Sequence, residues 1–187
     1  MIFAASASSK GGSAQQVDYV GVENVAKECV RLGIPKLVVI SSGAITRPNS
    51  LGFKITNLFG RIMEAKLKGE ESLKAVYKAA PSGVTYAIIR PGGLGDGAPA
   101  GPSSVELNQG DAISGEISRS DVAECAIAAA TSKKIPQNVT FEIYSKQGAG
   151  PLEGSLPQPT GYERTGDSYD KLFEGLVSGE VIVEPKK

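Results

Sequence analysis

Apolar residues along this chain fall into short continuous runs separated by longer stretches with helical spacing. The runs at residues 1–5, 36–40, 84–89 and 139–144 have the length of strands. Continuous apolar runs of this kind are typical of parallel strands covered on both faces. The resulting order, in which strands alternate with helices, predicts an α/β fold with a mainly parallel, doubly wound sheet and right-handed crossovers.

Two shorter helical patterns carry start signals. Ser13 followed by Gln16, and Ser118 followed by Asp121, have the form of capping boxes. They predict helices over about 13–32, stopped by Gly33, and 121–131.

The longest helical pattern lies within residues 57–80. At 3.6 residues per turn, one face holds only small or apolar side chains apart from Lys66. A lysine on such a face needs a partner or an exit to water, so the structural interpretation is a stem that reaches solvent from the edge of the stripe. The opposite face carries Glu64–Lys68 and Glu70–Lys74 at i,i+4 spacing, which predicts a solvated surface. The predicted buried face consists of Ile62, Lys66, Gly69, Leu73, Val76, Tyr77 and Ala80.

The remaining segments predict loops and a tail. Residues 44–56 and 96–114 have no core pattern, and Glu116-Ile117 forms a short extended pair. Residues 146–167 are rich in Gly, Pro, Gln and Ser and predict a linker between a domain over 1–145 and the C-terminal stretch 168–187. A short amphipathic helix at 168–177 is expected to dock on the domain or on a partner.

Composition narrows the functional classes. Of 187 residues, 41% are hydrophobic and 21% charged, and equal numbers of basic and acidic residues give zero formal net charge. This balance disfavours a nucleic-acid partner, and no apolar run approaches the ~20 residues of a transmembrane helix. Cys29 and Cys125 lie within helical patterns, as expected of small buried hydrophobes in a reducing compartment. The composition is that of a soluble globular protein.

The chain contains no histidine, which removes Ser-His-Asp and Cys-His catalysis. Two cysteines are too few for an all-thiolate zinc site, so no metal is predicted. Ligands of parallel α/β sheets bind beyond the carboxyl ends of the strands. Those ends carry small or Gly-rich sequences, which permit close approach of a ligand: Ala4-Ala5, Ser41-Ser42-Gly43 and Arg90-Pro91-Gly92-Gly93.

Five segments in order resemble the atypical, NmrA-like branch of the short-chain dehydrogenase/reductase superfamily, over about residues 1–145. They are FAASASS, VDYVGVENVAKECVRLGIPKLVVISS, KLKGEESLKA, VTYAIIRPGGL and ISRSDVAECAIAA. The likeness is strongest to plastid redox members and their algal and cyanobacterial relatives. It implies a Rossmann-like fold that binds NAD or NADP, and a chloroplast location.

The resemblance also implies which residues contact the nicotinamide dinucleotide. The turn after the first strand, the serines after the second and the R-P-G turn after the third would lie against the cofactor, and Lys66 would contact the nicotinamide ribose. The implied set is Ala4, Ala5, Ser6, Ser41, Ser42, Lys66, Arg90, Pro91 and Gly92.

Two departures from the family pattern matter. The superfamily motif Y-x-x-x-K supplies a tyrosine whose proton is transferred, and the position four before Lys66 is Ile62. The family's Gly-rich fingerprint and its first three strands have no counterpart, so the chain corresponds to the C-terminal portion of the fold, from the fourth strand onward. Either the sequence is part of a longer one, or a protein partner covers the exposed edge of the strand at 1–5.

Two functional hypotheses follow, and a third is weaker. The first is an NAD(P)-binding oxidoreductase-like protein without the standard Tyr-Lys chemistry. The second is a non-catalytic Rossmann-like scaffold acting through protein contacts in a larger, plastid complex. Hydrolysis through Ser41 or Ser42 would need a lysine base, which the sequence alone cannot bring near either serine, and hydroxyls that satisfy the strand end explain both residues equally well.

Overall fold

The computed structural model describes residues 1–8, 11–58, 60–152 and 166–183. Nine strands are assigned in these ranges: β1 (Ile2–Phe3), β2 (Lys36–Ile40), β3 (Thr85–Pro91), β4 (Gly93–Gly95), β5 (Val105–Asn108), β6 (Ile113–Ser114), β7 (Glu116–Ser118), β8 (Val139–Ser145) and β9 (Gly150–Pro151).

Five α-helices lie between and after the strands. They are α1 (Val22–Arg31), α2 (Leu51–Asn57), α3 (Ile62–Lys78), α4 (Arg119–Thr131) and α5 (Tyr169–Glu174) within the described ranges. A π-helical segment, Gln15–Gly21, leads directly into α1. Both predicted serine caps are present, since the Ser13 and Ser118 hydroxyls accept from the backbone N–H groups of Gln16 and Asp121 at 3.2 and 2.9 Å. At Ser13 the box is reciprocal, because its N–H donates to the Gln16 side chain at 3.3 Å.

The central sheet has the order β1-β2-β3-β8-β5. The first four strands are parallel, with Ile40 opposite Ile89 and Ile89 opposite Phe141, and β5 is antiparallel to β8. The prediction of an α/β, mainly parallel Rossmann-like sheet is confirmed. Within the described ranges β1 has a sheet neighbour on one side only, so it forms an edge.

The central strands are apolar over most of their length because alternate residues enter two different cores. Leu37 and Ile88 pack under α1 and α3. Val38 and Ile89 pack on the opposite face, under α4 and α5. The continuous apolar runs seen in the sequence are therefore explained by helices on both faces.

The expectation of a loop over residues 44–56 is wrong, because α2 begins at Leu51. The Ser50 hydroxyl caps this helix by accepting from the Phe53 backbone N–H at 3.2 Å. Phe53 packs with Ala44, Ile45 and Met63 in a third small core. A serine cap before a helix of two turns is a weak signal when the helix contributes so few core residues.

The expectation of a loop over 96–114 is also wrong in part. Residues Val105–Asn108 form the antiparallel edge strand β5, and Val105 and Leu107 are fully buried. The sequence V-E-L-N alternates apolar and polar residues, which is the pattern of a strand with one face on the core. Four residues are too short a run for that pattern to stand out among the neighbouring Gly, Pro and Ser.

The long helix α3 begins later than its pattern suggests. Gly60 and Arg61 adopt left-handed conformations, with φ of 67° and 58°, so regular helix starts at Ile62. The predicted stripe faces the protein interior, but the prediction that Glu70 lies on the solvated face is wrong. Glu70 is 2% exposed, because the helix turns its carboxylate toward Arg90 on β3.

The C-terminal stretch packs on this same domain. Leu172 and Phe173 of α5 are fully buried beside Phe141, so the apolar side of the predicted 168–177 helix is covered by the domain itself. After it, Gly179 accepts from the Thr140 backbone N–H, which ties the chain end to β8. No helix in the described part of the chain is both long and apolar enough to span a bilayer.

Candidate functional site

A cleft of about 320 Å³ opens where β2 and β3 end. Its floor is the Ser41–Ala44 turn after β2 and the turn after β3, and α2 forms one wall. This is the carboxyl edge of the parallel sheet, where such folds bind ligands. The lining residues are Ser41, Ser42, Gly43, Ala44, Gly52, Thr56, Pro91, Gly92, Gly93, Leu94 and Ser114.

Backbone segments approach each other closely at the floor of the cleft. A side chain at Gly92 would place its Cβ 2.0 Å from the Gly115 carbonyl oxygen, and one at Gly43 would lie 3.1 Å from the Pro91 carbonyl. Neither glycine has a positive φ, so close approach and not backbone conformation requires them. The glycines at the strand ends therefore allow the backbone segments at the floor of the cleft to lie in contact.

Lys66 reaches toward this edge from α3. Its ammonium lies 2.8 Å from the Asp18 carboxylate, and only 12% of its side chain is exposed. Lys66, Asp18 and Ser41 together line a small cavity next to the cleft, so Ser41 borders both spaces. The Lys66 side chain, which was expected to reach solvent from the edge of the apolar face, thus ends on the Asp18 carboxylate.

Asp18 joins Lys66 to the turn that follows β1. One carboxylate oxygen accepts from the Ser6 hydroxyl at 2.6 Å, and the other accepts from the Ala7 backbone N–H at 2.9 Å. The Asp18 side chain is completely buried. A buried carboxylate needs such partners, and here they fix Lys66 and the Ser6–Ala7 turn relative to each other.

The π-helical segment and Gly69 bring these groups together. The segment Gln15–Gly21 carries Asp18, and a side chain on Gly69 would place its Cβ 2.2 Å from the Asp18 carbonyl oxygen. The backbones of α3 and the π-helical segment can therefore approach to contact only because residue 69 is glycine. Local π-helical geometry is often found at functional sites.

Arg90 lies in a buried ion cluster beneath the sheet end. Its guanidinium donates two bonds to Glu70, at 3.1 and 2.6 Å, and one to Glu142 at 3.3 Å. A further bond joins it to Glu180 at 2.5 Å, and Lys74 also pairs with Glu180 at 2.6 Å. Only 1% of the Arg90 side chain is exposed, and its charge is met by three carboxylates.

The pKa values of the acidic groups in this cluster are shifted in opposite directions. Burial, the largest single cause, would raise the pKa of Glu70 and of Glu180, but the charges of Arg90 and Lys74 and the hydrogen bonds to each carboxylate together outweigh it. The pKa of each is therefore lowered. Burial and the neighbouring Asp111 raise the pKa of Glu142 to about 8. Burial would lower the pKa of Arg90, but the surrounding carboxylates raise it well above its ordinary value.

The structure brings only part of the predicted site together. Ser41, Ser42, Pro91 and Gly92 line one cleft. Lys66 joins them through the adjoining cavity, and Ser6 joins through Asp18. The other three predicted residues lie apart: Arg90 points into the ion cluster, Ala4 lines an apolar groove beside α4, and Ala5 is exposed on the turn after β1.

Asp18 is the residue of the site that sequence reasoning missed. In the sequence, Asp18 lies in the first turns of a predicted helix, where an acidic side chain is ordinarily solvated and stabilises the helix. The only sequence signal was its place among valines and small residues in V-D-Y-V-G. The described part of the chain contains no group of three or more side chains arranged to hold a metal ion.

The chain matches a family model described as NAD(P)H-binding over residues 1–133. Because the match covers well over half of the chain, this protein belongs to the NAD(P)H-binding family. The NAD(P)-binding Rossmann-like class expected from the resemblance is thereby confirmed, as is a nicotinamide dinucleotide as the class of cofactor.

Two individual relatives match parts of this chain. An uncharacterised chloroplastic protein of Arabidopsis thaliana is 36% identical over 123 residues, which cover 61% of this chain and 40% of that protein. Sanguinarine reductase of Eschscholzia californica is 31% identical over 146 residues, which cover 75% of this chain and 50% of that enzyme. The chain therefore spans half or less of the length of these two relatives.

Among solved structures, a Bacillus halodurans protein described as an NAD-dependent epimerase/dehydratase superposes with a TM-score of 0.63. The sequences are 21% identical, and the superposition covers 81% of this chain and 65% of the other. At this identity the match is evidence for the fold.

The residues present fit the nicotinamide end of a dinucleotide. The cleft is walled by backbone at Gly43 and Gly92, where an added Cβ would meet the Pro91 and Gly115 carbonyl oxygens, and a lysine ammonium lies at the adjoining cavity.

Proposed function

We propose that this chain forms the nicotinamide-binding half of an NAD(P)H-dependent oxidoreductase. The observation that carries the proposal is Lys66, held by Asp18 at the cavity that adjoins the strand-end cleft. Of the residues that the resemblance implies, the proposed contacts are Ser6, Ser41, Ser42, Lys66, Pro91 and Gly92. Ala4 and Ala5 would approach the cofactor only from the neighbouring turn after β1, and Arg90 would support the turn after β3 through its ion pairs.

Lys66 would bind the ribose that carries the nicotinamide. An ammonium has three donors, and the described structure uses one of them on Asp18, so two remain for ribose hydroxyls. Ser41 and Ser42 offer hydroxyls on the cleft side of the same strand end. When bound, a reduced nicotinamide supplies a hydride.

Asp18 would hold this arrangement. Its second oxygen fixes the Ala7 N–H, and the Ser6 hydroxyl bonds the same oxygen that faces Lys66. Movement of the turn after β1 would therefore be coupled to the position of the lysine.

The isolated chain offers a direct test with two probes. NADPH and the reduced nicotinamide mononucleotide, which lacks the adenosine half and needs no pyrophosphate cradle, are titrated by nicotinamide fluorescence. We expect both to bind, and Lys66→Met to weaken both about tenfold, because a charge-assisted bond to a hydroxyl contributes roughly 1.5 kcal/mol.

Lys68→Met is the matched control, since Lys68 lies on the exposed face of the same helix and has no ion pair within 4 Å in the described structure. Absence of binding of either probe at millimolar concentration would contradict the proposal. That outcome would favour the second candidate, a non-catalytic scaffold, for which the one-sided edge β1 and the exposed Met1 and Ile2 are the supporting observations.

A plastid location is proposed as well. It is supported by the chloroplastic Arabidopsis thaliana relative alone.

A further inference from the structure

A second cavity adjoins α2 on a different face from the strand-end cleft. Gly52 and Thr56 of this helix line the cleft, whereas Phe53 lines the second cavity. We call it the α2–α3 cavity, because the 45–48 turn, α2, α3 and residues 180–182 enclose it. Its volume of about 700 Å³ lies in the range of sites that bind small organic molecules. It shares no lining residue with the cleft, so the two spaces are separate.

Arg47 lines this cavity, and its charge has no counter-ion among the described residues. Its Nε donates to the Asp111 carbonyl at 2.9 Å, and its Nη2 donates to the Gly110 and Val183 carbonyls at 2.7 and 2.5 Å. These carbonyls hold the guanidinium in place but carry no formal charge. The other arginines of the described ranges each pair with a carboxylate: Arg31, Arg61, Arg90 and Arg119.

The Nη1 group of Arg47 is the donor that the protein leaves for a ligand. A guanidinium has five N–H groups, and the bonds to the three carbonyls use the Nε hydrogen and both Nη2 hydrogens. Both Nη1 hydrogens therefore remain. The side chain is half-buried and already fixed, so an anion that accepts from Nη1 would cost little further rotamer entropy.

Much of the remaining lining is apolar. Ile45 and Phe53 reach the cavity from the third small core, and Leu67 reaches it from α3. Ile182, on the C-terminal stretch, is 73% exposed. The apolar body of a ligand lying against Leu67 and Ile182 would remove their surface from water, which stabilises the complex.

The acidic residues of α3 limit the charge that such a ligand can carry. Glu64, Leu67 and Glu71 follow the i, i+3, i+7 spacing of one helix side and all line the cavity. Glu64 pairs with Arg61, whereas Glu71 is exposed and has no ion pair in the described part of the chain. An unpaired carboxylate in the same cavity disfavours a ligand with a second negative charge.

The two other charged lining residues neutralise each other, since Lys74 lies 2.6 Å from Glu180. We propose that the α2–α3 cavity binds a singly charged organic carboxylate, whose oxygen accepts from Arg47 and whose apolar body lies against Leu67 and Ile182. The proposal goes beyond the oxidoreductase function and does not depend on it. The ligand would contact the same helix, α2, that forms a wall of the strand-end cleft.

Three fluorescent probes built on one ring system test the charge requirement. 2-Naphthoate has one negative charge, 2-naphthalenemethanol is neutral, and 2-naphthyl phosphate carries more than one charge. The chain contains no tryptophan, so naphthalene emission is read against a weak protein background. We expect naphthoate to bind about tenfold more tightly than the alcohol, and at least as tightly as the phosphate ester.

Substitutions at the exposed Ile182 locate the bound anion without disturbing the core. Ile182→Lys should tighten naphthoate binding and Ile182→Glu should weaken it. Each change should be about twofold at low ionic strength, as expected for a charge roughly 8 Å away acting through solvent. The alcohol should respond alike to both. Leu32→Lys and Leu32→Glu are the matched controls and should change neither affinity, because Leu32 is 59% exposed and lies outside both cavities.

Arg47→Met should weaken naphthoate binding about tenfold and leave the alcohol unchanged. Arg47→Lys keeps the charge and should retain part of the preference for the anion. Because Arg47 also holds three carbonyls, the free energy of unfolding of each variant is measured first. If an Arg47 variant does not fold, the Ile182 series alone decides.

Three outcomes overturn the proposal. The first is equal binding of naphthoate and the alcohol, or tighter binding of the phosphate ester. The second is a naphthoate affinity that is indifferent to the sign of the charge at residue 182. The third concerns Glu184, which follows Val183 and lies outside the described residues. If naphthoate binds Glu184→Gln but not the wild type, Arg47 is paired by the chain's own carboxylate and the cavity takes no separate ligand.

Discussion

Lys66 and Arg90 are two cations of the same sheet edge with different surroundings. Lys66 has one carboxylate partner, Asp18, and part of its side chain is still exposed. Arg90 is enclosed by three carboxylates, and two of its bonds go to a single one, Glu70. The resemblance implied that both lie against a cofactor. The comparison teaches that a cation is available to a ligand only where several buried carboxylates do not already enclose its charge.

Replacing Arg90 should have the largest effect. It tests whether Arg90, unlike Lys66, serves the stability of the fold. Arg90→Leu leaves Glu70 and Glu142 buried without their cation, and we expect a loss of about 3–5 kcal/mol in the free energy of unfolding, measured with urea. Arg119→Leu, which breaks an exposed pair with Asp96, is the control and should cost under about 1 kcal/mol. A loss at Arg90 no larger than this control would show that the cluster is not structural.

Gly69→Ala should have the next largest effect and would disturb the Lys66 side. Alanine is better than glycine in a helix by about 1 kcal/mol, but its Cβ would lie 2.2 Å from the Asp18 carbonyl oxygen. We therefore expect a net loss of roughly 2–3 kcal/mol and weaker NADPH binding, since α3 must move away from Asp18.

Gly52→Ala is the matched control for that substitution. Gly52 also lies in a helix, α2, and the atom nearest to an added methyl group there would be the Ala44 Cβ at 3.8 Å. The substitution should be neutral or stabilising for folding, and only stability is compared, since Gly52 itself lines the strand-end cleft. Equal changes in the free energy of unfolding for the two substitutions would refute the close approach at Gly69.

Glu142→Gln should have the smallest effect, and its sign depends on pH. The pKa of Glu142 is raised from 4.5 to about 8 on folding, so its contribution to stability is complete below the unfolded pKa and is lost as pH rises through about 8. Wild-type protein should lose about 1–3 kcal/mol between roughly pH 6 and 9, and the Gln variant should lose less.

Measuring above about pH 6 separates this contribution from those of Glu70 and Glu180. Their pKa values are lowered on folding, so their contributions are present above 4.5 and are lost toward acid. Identical pH slopes for the wild type and the Gln variant would show that Glu142 is ionised throughout this range. In that case Arg90 would be still more fully neutralised than the comparison assumes.

The parallel core of the fold follows from the sequence because its signals are local and strong. The runs at β2, β3 and β8 have no polar interruption at their centres, apart from Thr140 and the glutamate that pairs with Arg90. Helix α4 has its serine cap in place. By contrast, α2 and β5 contribute only a few residues to the cores, and their patterns are too short to exceed the background of Gly, Pro and Ser.

The candidate site was less predictable because charge pairing is a long-range property. Glu70 obeys the i,i+4 pattern of a surface helix, yet the sheet carries an arginine opposite it. Asp18 and Lys66 are distant in sequence. Their contact depends on the π-helical segment that carries Asp18 and on Gly69, which lies in α3 with Lys66. The strand-end serines and glycines could be found because parallel topology alone brings them together.

The bond from Arg90 to Glu180 also limits how the chain can be divided for experiments. Glu180 lies beyond the Gly/Pro-rich stretch, and the nearby Val183 carbonyl accepts from the Arg47 guanidinium at 2.5 Å. An expression boundary placed within residues 146–167 would thus separate Arg90 and Lys74 from a carboxylate that both contact. For crystallisation or labelling, the smallest piece worth making should run through Val183, with any tag joined after it.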